Sequence, residues 1–363
     1  MDSFQLLFLK DTKNKVKNTG RALMDNLYEN VREKICDLIY NGAFPEGKRI
    51  PAERNLSEQL GVSRVTLRKA LDILSEDGLI RKDAGSGNVV QMPNHGNAFE
   101  RDMVVLIAPA QNSFFSSFIR KFQEYGQKEE SMILYVEKPQ KEDLANSLYR
   151  LYRKGLRNAV VWPDDCSVDH SKIKRLRAMG MNLVFFDSDL GLPYADCVTL
   201  NNNLAVKTLL TDVARKHTYK KITYIGWDTE ALYSCRSREN AFRESFPAGN
   251  VVRLSWVDRN KSSDILAREL FNKIGEPGEI IFYGNRECGI AAAYAIDQMK
   301  KSDNILAGID DIPFIGKLHT FVYRQNLNEM VSQIFKCLDS QIHEGDTWKA
   351  SVYPIAGQLI EKQ

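Results

Sequence analysis

Two hydrophobic rhythms divide the chain. Leu67, Ala70, Leu71 and Leu74 recur at i, i+3, i+4 and i+7, which predicts a helix from Arg64 to about Glu76. Ahead of it, Leu56 and Leu60 face inward from a helix that starts near Pro51, and residues 21–41 read as an earlier helix with Leu23, Leu27, Val31, Ile35, Leu38 and Ile39 on its apolar face. After Gly78 the period shortens: Leu79 to Lys82 and Asn88 to Val90 read as two strands about a glycine tip, Ala84 to Gly87. From Met103 onward continuous apolar runs alternate with amphipathic stretches. Strands are expected at 103–108, 132–136, 159–162, 183–186, 222–225, 251–256, 280–283 and 305–309, with helices between, among them 116–129, 142–153 and 171–179. Such alternation predicts parallel sheets joined by right-handed crossovers. The roughly 260 residues that carry it are enough for two doubly wound lobes.

The polar residues of the first rhythm are placed to touch nucleic acid. Gly61-Val62-Ser63 is a tight turn in which Ser63 can cap the next helix. That helix has no acidic residue before Asp72, so its first two turns, with Arg64, Thr66, Arg68 and Lys69, are cationic. Arg64 and Arg68 lie one turn apart on one face, suited to the edges of bases in a major groove. Arg54 on the preceding helix is free to reach a phosphate, and Gly85 at the wing tip lets backbone approach the duplex closely. Bulk charge does not carry this reading. Between Pro45 and Met92 eight basic residues stand against seven acidic ones, and the whole chain of 363 residues has a net charge of +3. Placement decides.

In parallel α/β sheets, ligands bind beyond the carboxyl ends of the strands. There the chain places Asn112, Phe114 and Phe115, then Trp162, then Asp187, then Arg238 on the helix after 222–225, then Asn285, and last Asp310 and Asp311. Aromatic faces with carboxylates, amides and a guanidinium suit a small polyhydroxyl ligand.

Composition narrows the class. Charged residues at 27% and hydrophobic ones at 43% describe an ordinary soluble chain. Six cysteines are scattered without a C-x-x-C pair, which argues against zinc and disulfides and fits a reducing cytoplasm. The apolar run Phe4 to Leu9 is short for a signal peptide, and no stretch approaches the roughly 20 apolar residues of a membrane span. No nucleophile-elbow, zinc-protease or phosphate-loop motif occurs, and none of the five histidines has ligand spacing, so the reading is not an enzyme and needs no cofactor. Asp164-Asp165 and Asp310-Asp311 are the nearest approach to an acid pair, and neighbouring loop residues usually point apart. His95, in the polar stretch after Gln91, is read as a solvated linker residue.

Two resemblances follow. Gly42-x-Phe44-Pro45-x-Gly47, Ile50-Pro51-x-Glu53-Arg54-x-Leu56, Gly61-Val62-Ser63-Arg64-x-Thr66-Leu67-Arg68-x-Ala70-Leu71, Asp77-Gly78-Leu79-Ile80 and Gly85-x-Gly87 resemble the DNA-binding domain of the gluconate-repressor (GntR) family. Asn88 departs from it, standing where an apolar residue is usual. The resemblance puts DNA-contacting arginines at Arg54, Arg64 and Arg68, with Thr66 and Gly85 in support. IAPAQNSFF from Ile107, AVVWP from Ala159, ITYIG from Ile222, RSRENAF from Arg236, IFYGN from Ile281, AGIDDIP from Ala307 and QNLNEMV from Gln325 are similar to the effector domain of lactose- and ribose-type repressors, kin of periplasmic sugar-binding proteins. That resemblance implies ligand contacts from Asn112, Phe115, Asp187, Arg238, Asn285, Asp310 and Gln325. Ser113 replaces the usual proline, Ala241 the usual glycine, and Arg286 an acidic residue.

The expected architecture is therefore α/β: a winged helix-turn-helix at 1–92, a linker at 93–101, and a two-lobed sensor of periplasmic-binding-protein type with doubly wound parallel sheets at 102–363. The expected function is a cytoplasmic, dimeric repressor. Its affinity for a double-stranded DNA operator is set by a monosaccharide or sugar phosphate, with no membrane partner. A sugar-active enzyme or a passive sugar-binding protein is the alternative, the latter disfavoured by the lack of a signal peptide.

Overall fold

The computed structural model of the protein describes residues 27–83, 87–92, 102–108, 113–137, 143–163, 167–299, 303–313 and 318–362, without the side chains of residues 113, 114 and 362. The expectations for residues 1–20, His95, Asp164-Asp165, Gly85 and Asn112 lie outside these residues.

A winged unit comes first. Residues 27–40 form α1, followed by α2 (Glu53–Leu60), α3 (Arg64–Glu76) and the antiparallel pair β1 (Ile80–Asp83) and β2 (Gly87–Val90). Val31, Ile35 and Ile39 of α1 pack with Leu56, Leu67, Ala70, Leu71 and Leu74, so the helical spacing maps onto one core. Leu27, expected on the same face, is exposed instead. Pro51 precedes α2 rather than opening it, with Ala52 at the N-cap. Gly61 ends α2 in the left-handed region, φ +66°, which lets the chain turn at once into α3.

Two six-stranded sheets follow. The first, in lobe 1, has the order β13-β7-β6-β5-β3-β4, all parallel, from β3 (Met103–Ile107), β4 (Met132–Val136), β5 (Asn158–Val161), β6 (Asn182–Phe186), β7 (Asp196–Leu200) and β13 (Val352–Ile355). Alternate side chains point to opposite faces of a strand, and the two faces have separate cores. Val104, Leu106, Val160, Val184 and Phe186 pack with Phe118 and Phe122 of α4 (Ser113–Lys128) and Phe335 of α11 (Leu327–His343). Val105, Ile107, Ala159, Val161, Leu183 and Phe185 pack with Leu144 and Leu148 of α5 (Leu144–Arg153) and Ile173 and Leu176 of α6 (His170–Ala178).

Lobe 2 has the order β14-β12-β11-β10-β8-β9. Its strands are β8 (Ile222–Trp227), β9 (Asn250–Leu254), β10 (Ile280–Tyr283), β11 (Ile305–Ile309), β12 (Thr320–Arg324) and β14 (Gln358–Lys362), the last antiparallel to β12. Its helices are α7 (Asn202–Lys216), α8 (Tyr233–Ser245), α9 (Ser263–Ile274) and α10 (Arg286–Gln298). The chain crosses between lobes after β7, after β12 and after β13. At the third crossing, any side chain at Gly357 would run into the Arg324 carbonyl and the Tyr323 ring, so only glycine fits.

β7, β12, β13 and β14 were not expected from the sequence. β7 begins with a buried acid, Asp196, whose carboxylate accepts from Gln341 Nε2 (2.6 Å), Trp348 Nε1 (3.1 Å) and the Ser351 amide (3.0 Å). β14, QLIEK, is an edge strand with polar ends, so neither shows a plain apolar run. The five described cysteines are buried and free, and no helix among the described residues is long and apolar enough to cross a membrane.

Candidate functional site

The first candidate surface is the exposed end of α3. Ser63 accepts the Thr66 amide at 3.1 Å, the expected cap, and its hydroxyl lies 2.8 Å from that of Thr66. The cap fixes the first turn, from which Arg64 projects into solvent. Arg68 is also exposed but pairs with Glu53 at 2.8 Å, tying α3 to the start of α2. Solvent screens such a pair, so exchanging Glu53 for a phosphate or base costs little. Arg54 is exposed beside Glu58 at 3.4 Å. Lys69 differs from the arginines: its ammonium sits 3.9 Å from the centre of the Tyr28 ring, which draws it toward α1. On the wing, Lys82 pairs with Asp72 and Arg81 with Asp83.

Val65 was missed in the sequence. It is 80% exposed beside Arg64, an apolar group held out on the cationic end of α3. Such a group suits a thymine methyl. Its sequence signal is a β-branched residue two positions off the Leu67 stripe, where a helix surface would normally be polar.

The second candidate site is the seam between the lobes. Asp187 follows β6 and Asp310 follows β11, equivalent places in the two sheets. Both have positive φ, +52° and +70°, and Glu130 is the only other non-glycine residue that does among those described. Each amide is tied to the next strand, Asp187 to the Val198 carbonyl (2.9 Å) and Asp310 to that of Tyr323 (3.1 Å). Aspartate tolerates this backbone better than most side chains, and held strain of this kind clusters at binding sites.

Arg238 of α8 acts electrostatically on both carboxyls. It is 3% exposed, and donates to Asn202 Oδ1 (2.8 Å) and the Gly284 carbonyl (2.7 Å). Burial raises the pKa of Asp187, with Arg238, Ser234 and the Trp162 indole pulling it back; burial likewise raises that of Asp310, opposed by Arg238 and Gln325. Glu287, at the start of α10, is raised by burial as well. Gln325, at the second crossing, donates to Asp310 Oδ2 at 2.6 Å. Phe115 and Trp162 meet edge to face at 4.7 Å on the lobe 1 side. Asn285 accepts from Cys235 Sγ at 3.7 Å.

The structure thus draws Phe115, Trp162, Asp187, Arg238, Asn285, Asp310 and Gln325 to facing edges of the two sheets. Phe114 lies in α4, near the same edge of lobe 1. It adds Asn202, at the first crossing, and Ser234, neither of which was expected. Asn202 sits in a run of three asparagines after a strand that the sequence concealed. At the seam, Asp187 Oδ1, Asn202 Nδ2 and Gln325 Oε1 are sealed from solvent without a hydrogen-bond partner among the described residues. Arg236 does not enter. It pairs with Asp189 across the lobes at 3.3 Å, both half-exposed, and closes the rim. Trp227 packs against Trp256 within lobe 2. Asp310 and Asp311 are held by different partners, Gln325 and Arg324.

Residues 27–90 match the family described as bacterial regulatory proteins, gntR family. Over 80 residues the chain is 40% identical to a probable fructoselysine utilization operon transcriptional repressor of Escherichia coli, covering 22% of this chain and 33% of that protein. It is 40% identical over 72 residues to the histidine utilization repressor of Pseudomonas aeruginosa, covering 20% and 29%. The match therefore spans a third or less of these relatives. The two-lobed part is similar in structure to the Cra transcriptional dual regulator of Pseudomonas putida in complex with fructose 1-phosphate (TM-score 0.59, 14% identity, 72% of this chain and 99% of that one). It is also similar to a periplasmic solute-binding protein of Actinobacillus succinogenes with bound D-allose (TM-score 0.58, 16% identity, 72% and 97%). At these identities the likeness is one of fold. Residues 27–90 are a gntR-family helix-turn-helix domain, and the chain behind them has the two-lobed fold shared by LacI-type regulators and periplasmic binding proteins.

Proposed function

We propose that the protein is a DNA-binding transcriptional repressor whose operator affinity is set by a small sugar held between the lobes. Arg64 and Arg68 read base edges, Val65 contacts a thymine methyl, and Arg54 with the wing around Gly85 holds the phosphate backbone. Two copies place their reading helices in successive major grooves of a near-palindromic site, so the active form is a homodimer in the cytoplasm.

The observation that carries the effector reading is the set of unpartnered polar atoms in the seam. Asp187 Oδ1 and Gln325 Oε1 accept, and Asn202 Nδ2 donates; sugar hydroxyls do both, and satisfy all three. Phe115 and Trp162 supply apolar surface for the C–H face of the ring. Arg238 and Arg286 lie with the buried carboxyls of Asp187, Asp310 and Glu287, and burial disfavours charge on all three acids. Such a carboxyl-lined seam suits the hydroxyls of a neutral monosaccharide. Leaving a buried donor or acceptor unpaired costs about 1–3 kcal/mol, so each hydroxyl that pairs one favours the closed lobes by a comparable amount. Closure about the three crossings moves one lobe against the other and changes the spacing of the two readers.

The experiment is a thermal-shift panel of pentoses, hexoses and their phosphates, with an operator mobility shift under each. One or more neutral sugars are expected to raise the melting temperature and release DNA. Asp187→Asn removes the shift and leaves operator binding in place. If no sugar or sugar phosphate moves the transition, the effector reading falls.

A further inference from the structure

The winged unit is packed on the sensor through contacts outside both candidate sites. Tyr40, at the end of α1, stacks on Tyr149 of α5 with ring centres 4.0 Å apart and planes within 4°. Tyr152 continues the stack at 5.9 Å and lies against Cys36. Polar contacts ring these aromatics. The Tyr149 hydroxyl donates to Asp37, and the Tyr40 hydroxyl to Asn146 Oδ1 at 3.0 Å. Arg175 of α6 donates to the Tyr40 carbonyl at 2.9 Å, and its guanidinium lies against Gly42. Two ion pairs bound the patch, Arg153 with Glu33 at 3.3 Å and Lys174 with Glu46 at 2.5 Å. The hydrophobic cores of the reader and of the outer face of lobe 1 run together as one cluster.

We infer that this patch is a built joint that makes the reader a rigid extension of lobe 1, and that the joint transmits the state of the lobes to DNA. Three features separate it from a chance contact. The partners are complementary in sign at both edges. The buried hydroxyls of Tyr40 and Tyr149 each have a named acceptor, so the centre is satisfied as a domain core is. The face used is the side of α1 and the 40–46 turn, while Arg54, Arg64 and Arg68 remain exposed. The joint therefore carries the reader with its candidate DNA face free, and does not block it. A reader held only by a flexible tether would feel lobe closure weakly, because a tether absorbs the displacement. A reader fixed to α5 and α6 moves with lobe 1 as one body, so each degree of lobe rotation reaches α3 undiminished. The transmission half of this inference rests on the effector reading above; the docking half does not.

A charge swap tests it on the full-length protein. Arg153→Glu with Lys174→Glu places like charges across both edges of the joint. Adding Glu33→Lys and Glu46→Lys restores opposite signs. Hydrogen exchange is followed over residues 144–153 and 170–178, and operator affinity is measured with and without each sugar that shifts the wild-type melting temperature. In the double variant we expect faster exchange on both helices, intact operator and sugar binding, and a sugar response of operator affinity reduced from an allosteric range of about 5–150-fold to within about twofold. The fourfold variant should recover both protection and response. Exchange unchanged in the double variant overturns the joint. A full sugar response despite exposed helices overturns its role in transmission. A wild-type chain with no response to any sugar sinks the effector reading, and the exchange measurement still decides the joint.

Discussion

Arg238→Met gives the sharpest check on the seam. The wild-type guanidinium makes two buried hydrogen bonds and faces two desolvated carboxyls, those of Asp187 and Asp310. A hydrogen bond to a charged group contributes about 1.5–3 kcal/mol, and leaving a buried charge without its partner costs about 3–5 kcal/mol. These overlap, so the expected loss at neutral pH is about 3–5 kcal/mol rather than their sum. The loss has a pH signature. Both carboxyls already titrate above the ordinary aspartate value because they are buried, and Arg238 is what restrains them. Without it they rise further. A carboxyl whose folded pKa lies above its unfolded value contributes stability that is complete below the unfolded pKa and is lost as pH rises through the folded one. The deficit of the variant should thus be smallest at acid pH, below the ordinary aspartate pKa, and grow as pH rises through the raised folded values. Urea unfolding followed by tryptophan fluorescence reads this cleanly, because Trp162, Trp227, Trp256 and Trp348 all lie in the sensor. A deficit independent of pH would refute the claim that Arg238 serves these two carboxyls.

Two further outcomes concern the reader. Arg64→Ala should lower specific operator affinity by about 1–3 kcal/mol and blur base preference at one position. Val65→Ala should weaken sites carrying thymine there while leaving stability within about 0.5 kcal/mol, because the side chain is exposed. A mobility shift on operator variants separates them, and equal losses on all sequences would make both mere backbone contacts. Leu67→Ala, at a position 0% exposed, should cost about 2–5 kcal/mol and abolish DNA binding. The tryptophan transition of the two-lobed part is expected to move down as well, because the two units share one hydrophobic cluster; an unchanged midpoint would mean that the joint does not couple their stabilities.

How far the sequence reached depends on whether a feature is local. The α2–α3 turn was legible because Gly61, Ser63 and the 67-70-71-74 stripe act within a few residues, and the cap and the buried face are where the spacing put them. The central strands were legible because a strand buried on both faces has little choice but a continuous apolar run. β7 was not, since its first residue is an acid whose partners, Gln341, Trp348 and Ser351, lie about 150 residues away. With β7 hidden, the first crossing and Asn202 were hidden too.

The amino-acid order by itself determined the winged helical unit, the strand-helix alternation behind it and which side chains stand at strand ends. Those follow from backbone sterics and from the period at which apolar groups repeat. Only the tertiary structure decided that Asp187 and Asp310 share Arg238, that Lys69 turns to Tyr28 while Arg64 stays free, and that the reader rests on α5 and α6 through the Tyr40–Tyr149 stack. Each of these joins residues far apart in the chain. What brings them together is the closing of two sheets and the burial of a shared core, and no short-range pattern records it.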